Sequence, residues 1–273
     1  MRADEIALAM DWAAAEGWNP GLNDAPCFAT IDPEGFLIGE LGGKPAAMVS
    51  CVNYDDRFAF LGCYIVRPDL RGRGHGWKIW QAAIAHGGAR TIGLDGVVAQ
   101  QDNYTRSGFR LAYRNVRYGG RVAPAGCAAP PGIGPLADIP LAIVAADDAT
   151  VFPAPRFNFL RAWIGTSDHT GRALMRDGDL AAWGVIRPCR TGFKIGPLVA
   201  DDRAAAEAVF DALVAAVGGG EVFLDVPEPN REAVALAHAR GLTPVFETAR
   251  MYTGAVRDVA IHRIFGVATF ELG

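Results

Sequence analysis

The sequence has no stretch that approaches the roughly 20 apolar residues needed to cross a bilayer as a helix. Its first residues, MRADEIALAMDWAAAEG, carry acidic side chains inside the apolar run, unlike a secretory signal peptide. We therefore expect neither a membrane-spanning helix nor a cleaved leader, and predict a soluble cytoplasmic protein.

Disulfide and metal-binding patterns are also missing. The five cysteines form no CxxC pair, are odd in number and lie among apolar residues, so we expect reduced, mostly buried thiols. They are Cys27, Cys51, Cys63, Cys127 and Cys189. The five histidines are scattered, with no HExxH motif and no Cys/His ligand spacing. We predict no metal site.

Positive charge is not in excess. The chain has 26 Lys and Arg against 30 Asp and Glu, a formal net charge of −4. This balance supplies no general attraction for phosphate backbones or anionic lipids, so we expect neither a nucleic-acid nor a membrane partner. Any anion site must be local.

Apolar residues are abundant: 51% of the 273 residues are hydrophobic, which is enough for two domains of ordinary size. Between them, residues 123–137 read APAGCAAPPGIGPLA, and prolines and glycines at this density favour neither a helix nor a strand ladder. We predict an N-terminal domain at 1–122, a linker at 123–137 and a C-terminal domain at 138–273.

Apolar periodicity predicts helices and strands in both halves. In the first half we expect a helix at 5–16, strands at 36–41, 46–53 and 58–66, a helix at 77–85, and strands at 91–98 and 111–118 with a short helix between them. The turn signals Gly42-Gly43 and Asp55-Asp56 make the first three strands antiparallel. In the second half we expect helices at 157–164, 202–217 and 231–240, and strands at 180–186, 194–199, 222–226, 245–252 and 265–272.

The segment Tyr64 to Trp77, YIVRPDLRGRGHGW, is a predicted strand that enters a glycine-rich turn and then a helix. Glycines let successive backbone N–H groups converge, and the helix N-terminus adds about half a positive charge, so the turn suits a pyrophosphate. The predicted anion cradle consists of Arg71, Gly72, Arg73, Gly74, His75 and Gly76.

The glycine spacing distinguishes among phosphate binders. The segment contains no GxxxxGK[ST], and its glycines give GxGxG rather than GxGxxG, so neither a P-loop nor a dinucleotide fingerprint fits. With Val66 and Pro68 before Arg71, Gly74 and Gly76, it matches Arg/Gln-x-x-Gly-x-Gly/Ala preceded by Val-x-Pro. The loop therefore resembles the coenzyme A loop of the GCN5-related N-acetyltransferases (GNAT). The alternative is a tight strand-to-helix turn flanked by solvated arginines.

A second motif agrees with this resemblance. The segment from Tyr104 to Phe109, YTRSGF, is similar to the family's Tyr-x-x-x-Gly-Phe. In the family such a tyrosine lies near the thioester sulfur and can protonate the departing thiolate. Val97 departs from the motif, which has an asparagine at that position. The alternative role for Tyr104 is packing against the helix.

The second half carries the same motif in altered form. Residues 230–242, NREAVALAHARGL, resemble it but have Ala237 at the tyrosine position. Upstream, KIGPLVADD at 194–202 has no glycines after the strand, and Asp202 is placed as the N-cap of the next helix. A carboxylate there satisfies the free N–H groups and repels phosphate, so this half is expected to have lost the cofactor.

With FETARMYTG at 246–254 and FGVATFELG at 265–273, the resemblance extends over nearly the whole chain. The chain resembles bacterial tandem GNAT proteins, which have an active N-terminal domain and a degenerate C-terminal one. This implies an α+β fold in αβα layers, with two tandem acyl-CoA N-acyltransferase folds and mixed central sheets flanked by helices. It also implies acetyl-CoA as cosubstrate and no metal, with the pantetheine along Ile65 and Val66 and the pyrophosphate at 71–76.

The resemblance implies direct acetyl transfer to the amine of a small molecule or a protein, with no covalent enzyme intermediate and with Tyr104 as general acid. Asp95 is the first choice for the general base, because its strand should flank the thioester. The other acids considered are Asp55, Asp56 and Glu247, and each of the four also fits a solvated turn residue or an arginine partner. Second-half residues are expected either to wall the acceptor pocket or to have structural roles, namely Arg156, Trp163 and Tyr252.

Other functions stay open at this point. A coenzyme A sensor or interaction protein would bind the cofactor without turnover, and a transferase of a longer acyl group would have the same loop. Ser167, Asp168 and His169 are adjacent in sequence, which is typical of a polar loop, because the members of a hydrolytic triad converge from separate elements. The sequence predicts no oligomeric state.

Overall fold

A computed structural model describes residues 1–2, 5–124, 126 and 130–273. Its helices are α1 (Ile6–Ala15), α2 (Asp24–Phe28), α3 (His75–Gly87), α4 (Gln101–Arg106), α5 (Leu141–Val151), α6 (Phe157–Gly165), α7 (Arg203–Ala216) and α8 (Arg231–Ala239). Its strands are β1 (Phe36–Leu41), β2 (Lys44–Asn53), β3 (Phe58–Val66), β4 (Thr91–Val97), β5 (Arg110–Val122), β6 (Ile133–Pro135), β7 (Thr170–Arg176), β8 (Asp179–Pro188), β9 (Phe193–Ala200), β10 (Gly220–Pro227), β11 (Thr243–Tyr252) and β12 (Ile264–Gly266). Among these helices, none combines the length and the apolar character that a membrane crossing requires.

The predicted order of the first half is confirmed. Helix α1 buries residues at helical spacing and ends before Gly17, whose φ of 81° stops the helix. Strands β1, β2 and β3 form an antiparallel ladder, and the turn between β1 and β2 has positive φ at both Gly42 and Gly43. Helix α2 is absent from the prediction, because its five residues, DAPCF, are too few to show a period.

The second half follows the predicted order of elements from residue 194 to residue 252, but three other segments differ from the prediction. Helix α5 and strand β7 were not predicted from the pattern. The strand expected at 265–272 is only Ile264–Gly266, because the residues after it form turns held by Thr269. In the expected linker, β6 pairs with β7, which corrects the expectation that 123–137 holds no ladder. Pro135 is tolerated there because β6 is an edge strand.

The two halves share one twelve-stranded sheet because they exchange strands. Strand β11 of the second half lies between β4 and β5 of the first half, and β5 in turn pairs with β10 of the second half. The order is β1-β2-β3-β4-β11-β5-β10-β9-β8-β7-β6, with β12 paired to β9. The α+β class and the mixed sheet flanked by helices are confirmed, and the strand exchange joins the two expected sheets into one.

Successive side chains of a strand point to opposite faces of the sheet, and here both faces are apolar and covered by helices. On β3, Phe58, Phe60, Cys63 and Ile65 face an inner core that contains α1, α2, α5, α6 and residues 267–272. Ala59, Leu61, Tyr64 and Val66 face an outer core under α3 and α4. The second half uses the same inner core and has its own outer core under α7 and α8.

Four of the cysteines, Cys27, Cys51, Cys63 and Cys189, are buried free thiols, as predicted. Burial raises the pKa of Cys51 to about 12 and also raises that of Cys63. Cys127 lies outside the described residues. Nowhere in the described part of the chain do three or more His, Cys, Asp or Glu residues group so that they could hold a metal ion.

Candidate active site

Strands β3 and β4 separate halfway along their length. They pair in parallel from Phe58 with Thr91 to Leu61 with Leu94, and no pairing follows. The register between β2 and β3 also shifts at this point, so that Cys63 and Tyr64 have no partner residue in β2, and Cys63 has a φ of 48°. A β-bulge bends a strand away from its neighbour. The result is a wedge-shaped cleft in the sheet with one free edge on each strand.

The cleft holds a cavity of about 490 Å³. The predicted residues Ile65, Val66, Arg71, Gly72, Gly74, Gly76, Asp95 and Tyr104 line it. Arg73 and His75 belong to the same loop but are not part of the cavity wall. The topology therefore brings the loop motif and the tyrosine motif to one place.

The glycine-rich loop has the geometry of an anion cradle. Gly72 and Gly74 have φ of 75° and 81°, and a Cβ on either would meet no atom within 4 Å. Helix α3 begins at His75 and has no side-chain cap. Within the described chain, the backbone N–H groups of 72–77 donate no hydrogen bond, so six donors converge at the helix N-terminus.

The two arginines of the loop differ. Arg71 turns back onto the protein, where Nε donates to the carbonyl oxygen of Val66 over 2.9 Å and Nη2 pairs with Glu16. Arg73 is exposed, and in the part of the chain that the structure describes it has no hydrogen bond or ion pair. The guanidinium of Arg73 is therefore not held by a hydrogen bond or ion pair within the described chain.

Tyr104 lies in the wall of the cavity with its ring on Gly96. A Cβ on residue 96 would lie 2.6 Å from Tyr104 Cδ2, so only glycine fits there. The ring stacks on Trp80 with centroids 5.6 Å apart. Burial, with a smaller contribution from Tyr64, raises the pKa of Tyr104 to about 12, so the phenol keeps its proton at neutral pH.

Asp95 also lies in the wall, but its carboxylate is already paired. Oδ1 accepts from Arg250 Nε over 2.8 Å and from Asn115 Nδ2 over 2.7 Å, and Oδ2 accepts from Arg250 Nη2 over 2.6 Å. The side chain is completely buried. These donors occupy both carboxylate oxygens, so neither oxygen is open to an acceptor amine. The geometry therefore favours a structural role over that of a base.

The remaining base candidates lie outside the cavity. Asp55 accepts from the N–H groups of Arg57 and Phe58, Asp56 is exposed beside Arg57, and Glu247 pairs with Arg114.

The second half does wall the cavity, but with residues other than those expected. Trp163 lies in the inner core, Arg156 pairs with Asp148, and Tyr252 lines a different, smaller cavity. The residues that do line this cavity are Phe246, Thr248, Phe270 and Glu271. Sequence reasoning missed Glu271, although an acid inside the apolar run TFEL was a usable signal.

Comparison with known proteins agrees with this geometry. Residues 5–109 match the acetyltransferase (GNAT) family, and residues 144–266 match an acetyltransferase (GNAT) domain. The chain is also 32% identical over 272 residues to holothin acyltransferase of Pseudoalteromonas sp. (strain SANK 73390), which covers 99% of this chain and 92% of that protein. The chain belongs to the GNAT family. It is an acyltransferase with two GNAT domains in tandem, as predicted.

Solved structures share this fold. A candidate acetyltransferase from Pyrococcus horikoshii is similar over 100% of this chain and 94% of its own, with a TM-score of 0.83 and 23% identity. A tandem GNAT protein from the clavulanic acid biosynthesis pathway is similar over 94% of this chain and 98% of its own, with a TM-score of 0.63 and 16% identity. At these identities the similarity shows the fold.

The second GNAT domain has no open cleft at the corresponding position. Strands β9 and β10 pair in parallel only from Phe193 with Val222 to Ile195 with Leu224. Beyond that point β12 pairs with β9 and packs against β10. The chain therefore fills this cleft with its own strand. At the start of α7, Asp202 accepts a hydrogen bond from the N–H of Ala205 over 2.8 Å, which confirms the predicted N-cap.

Proposed function

We propose that the first GNAT domain binds acetyl-CoA and transfers the acetyl group directly to the amine of an acceptor. The observation that carries this proposal is the difference between the two clefts. The first is open and ends in six unpaired N–H donors, whereas β12 occupies the second and Asp202 caps the helix that follows β9.

The residues of the open cleft fit coenzyme A. The free edge of β3 at Ile65 and Val66 suits the amides of an extended pantetheine, as an added strand would be bound. The loop 71–76 suits the pyrophosphate through its N–H groups, its helix N-terminus and the charge of Arg73. The bound cosubstrate supplies an activated thioester.

Around that thioester, the chain supplies two further groups. The backbone at Cys63 and Tyr64, which β2 leaves unpaired, provides N–H groups that stabilise negative charge developing on the carbonyl oxygen. Tyr104, protonated at neutral pH, donates its proton to the departing thiolate. Asp95 holds Arg250 and Asn115 in the wall, so we assign it a structural role.

We propose an acetyl group first and a longer acyl group as the alternative. Because the chain is similar to holothin acyltransferase, holothin is one acceptor to assay among the small amines. A protein lysine is the other class to test.

We also propose the division 1–122, 123–137 and 138–273 as the two domains and their linker. The strand exchange means that each domain needs a strand of the other. Residues 1–122 expressed alone should therefore fail to fold.

The first test is calorimetric titration of acetyl-CoA into the full chain, followed by an amine panel with acetyl-CoA and longer acyl-CoA donors. We expect one site per chain and transfer to at least one amine. Two sites would contradict the loss of binding in the second domain, and no binding would refute the proposal. Binding of acetyl-CoA without transfer to any amine would favour the alternative function, a coenzyme A sensor or interaction protein without turnover.

A further inference from the structure

Residues 267–273, the C-terminal tail, run from β12 in the second domain to the cleft of the first domain. Tyr54 donates to the carbonyl oxygen of Leu272 over 2.8 Å, and Arg156 donates to that of Gly273 over 3.0 Å. Thr269 is completely buried and accepts from the N–H groups of Leu272 and Gly273. The tail is therefore held in one position.

Glu271 lies in this tail, and its side chain differs from the other buried acids. Asp24, Asp148 and Asp225 each form an ion pair with an arginine. Glu271 is only 4% exposed and lines the cavity, yet it makes no hydrogen bond or ion pair with any described residue. Its carboxylate oxygens remain accessible from the cavity, where a ligand can bind them.

Glu271 lies near buried charges of both signs. Three buried cations, Arg117, Arg187 and Lys194, lie within electrostatic range of it, and two buried anions, Asp24 and Asp225, accompany them. Cys63, on β3, also faces it and is held as the thiol by burial.

Glu271 stands beside the place where the thioester would lie. A Cβ on Gly62, at the bulge of β3, would lie 3.0 Å from the Cα of Glu271. The tail approaches the cavity from the inner core, whereas Tyr104 belongs to the outer core. The two side chains therefore reach one cavity from opposite faces of the sheet.

We propose that Glu271 is the general base of the transfer, an inference that rests on the function proposed above. The carboxylate binds the acceptor amine and takes a proton from its nitrogen as the N–C bond forms. The C–S bond breaks, and Tyr104 gives its proton to the thiolate. Solvent then carries the proton from Glu271 back to Tyr104, so that the products are the amide and free coenzyme A.

The test uses the full chain, acetyl-CoA and an amine that the wild type acetylates. Glu271→Gln is compared with Glu228→Gln, which removes the same charge from an exposed position outside the cavity. We expect Glu271→Gln to lower kcat at pH 7 by about 10²–10⁴ fold. Its acetyl-CoA affinity should stay within about threefold of the wild type, and its rate should keep rising with pH where the wild type reaches a plateau. Glu228→Gln should match the wild type.

If Glu271→Gln lowers kcat less than about threefold, or lowers it equally at every pH, Glu271 is not the general base. If Glu271→Gln does not fold, Glu271→Asp is the replacement test of the general base. It keeps the charge among the cations but withdraws the carboxylate, so kcat should fall about tenfold with acetyl-CoA affinity retained, and an unchanged kcat would overturn the proposal. If the wild-type chain binds acetyl-CoA but acetylates no amine, both the proposed function and the role of Glu271 as general base are wrong. This outcome is measured on the wild type alone, so it is distinct from the results of the Glu271 variants.

Discussion

Gly62 lies directly against the backbone of Glu271. A Cβ at position 62 would lie 2.9 Å from the carbonyl carbon of Glu271 and closer still to its oxygen. The obstacle is backbone, so Gly62→Ala must displace either the bulge or the tail. We expect a loss of about 1–3 kcal/mol in the free energy of unfolding and at least a tenfold loss of kcat/KM, measured by denaturant unfolding and steady-state kinetics.

Gly39→Ala is the matched control, because Gly39 is also a strand glycine but its nearest neighbour would lie 3.6 Å from a Cβ. It should change kcat/KM less than about twofold. Equal effects of the two variants would show that the contact between Gly62 and Glu271 has no special importance.

Tyr104→Phe removes the proposed acid and keeps the ring that stacks on Trp80. We expect kcat to fall by about 10²–10⁴ fold, with acetyl-CoA affinity nearly unchanged. Since the pKa of Tyr104 is raised to about 12, the wild-type rate should show no loss from its ionisation below about pH 10. Tyr118→Phe, at a buried tyrosine of the other outer core, is the control and should keep full activity. Equal activity of the two variants would remove Tyr104 from the mechanism.

Arg73→Gln tests the anion cradle. Arg73 is exposed and makes no hydrogen bond or ion pair in the described chain, only a longer-range electrostatic interaction with Asp69, so the substitution should leave the melting temperature nearly unchanged. We expect calorimetry to show acetyl-CoA affinity lowered about three- to tenfold, with a weaker dependence on salt, because one charge-assisted contact to phosphate is lost. Arg121→Gln, at an exposed arginine of β5, should not change the affinity. A normal affinity in Arg73→Gln would place the pyrophosphate elsewhere.

Asp202→Ala tests whether this residue caps a helix or blocks a second site. Removing the hydrogen bond to the N–H of Ala205, together with the exposed ion pair to Arg176, should lower the free energy of unfolding by about 1 kcal/mol. Because β12 still fills the cleft, the stoichiometry should remain one acetyl-CoA per chain. Asp201→Ala removes a half-exposed carboxylate that pairs with Arg263 and leaves Arg263 paired with Asp147, so it should cost less than about 0.5 kcal/mol. A second binding site in Asp202→Ala would show that the carboxylate alone excluded the ligand.

His169 makes stability depend on pH. Its Nδ1 lies 2.8 Å from the carbonyl oxygen of Trp163, its Nε2 is buried without a partner, and burial, aided by Arg187, lowers its pKa to about 4. The unfolded chain, with a pKa near 6.5, binds more protons between these values, so the folded state loses stability as pH falls from about 6.5 to about 4. Between these two pKa values, the free energy of unfolding changes by up to about 1.4 kcal/mol per pH unit.

Thermal unfolding across this range should be flatter for His169→Gln than for the wild type. His262→Gln, at an exposed histidine, should keep the wild-type slope. Parallel curves for His169→Gln and the wild type would exclude His169 as the source of the pH dependence.

Sequence by itself determined the features that depend on neighbouring residues. Local backbone preferences predict the glycine turn at 72–76, the helix after it and the N-cap at Asp202. The alternation of apolar residues predicts strands β1 to β3. Val66, Arg71 and Tyr104 were identified as site residues because each belongs to a short motif.

Only the tertiary structure decided which strands pair and what closes each cleft. Strand β11 joins β4 across more than 140 residues of chain, and no local pattern encodes such a partner, because a strand presents the same alternation to any neighbour. The same long-range packing places β12 in the second cleft and carries Glu271 to the first. In the sequence Glu271 is one acid in an apolar tail, and burial without a partner, which depends on every element around it, distinguishes it in the fold.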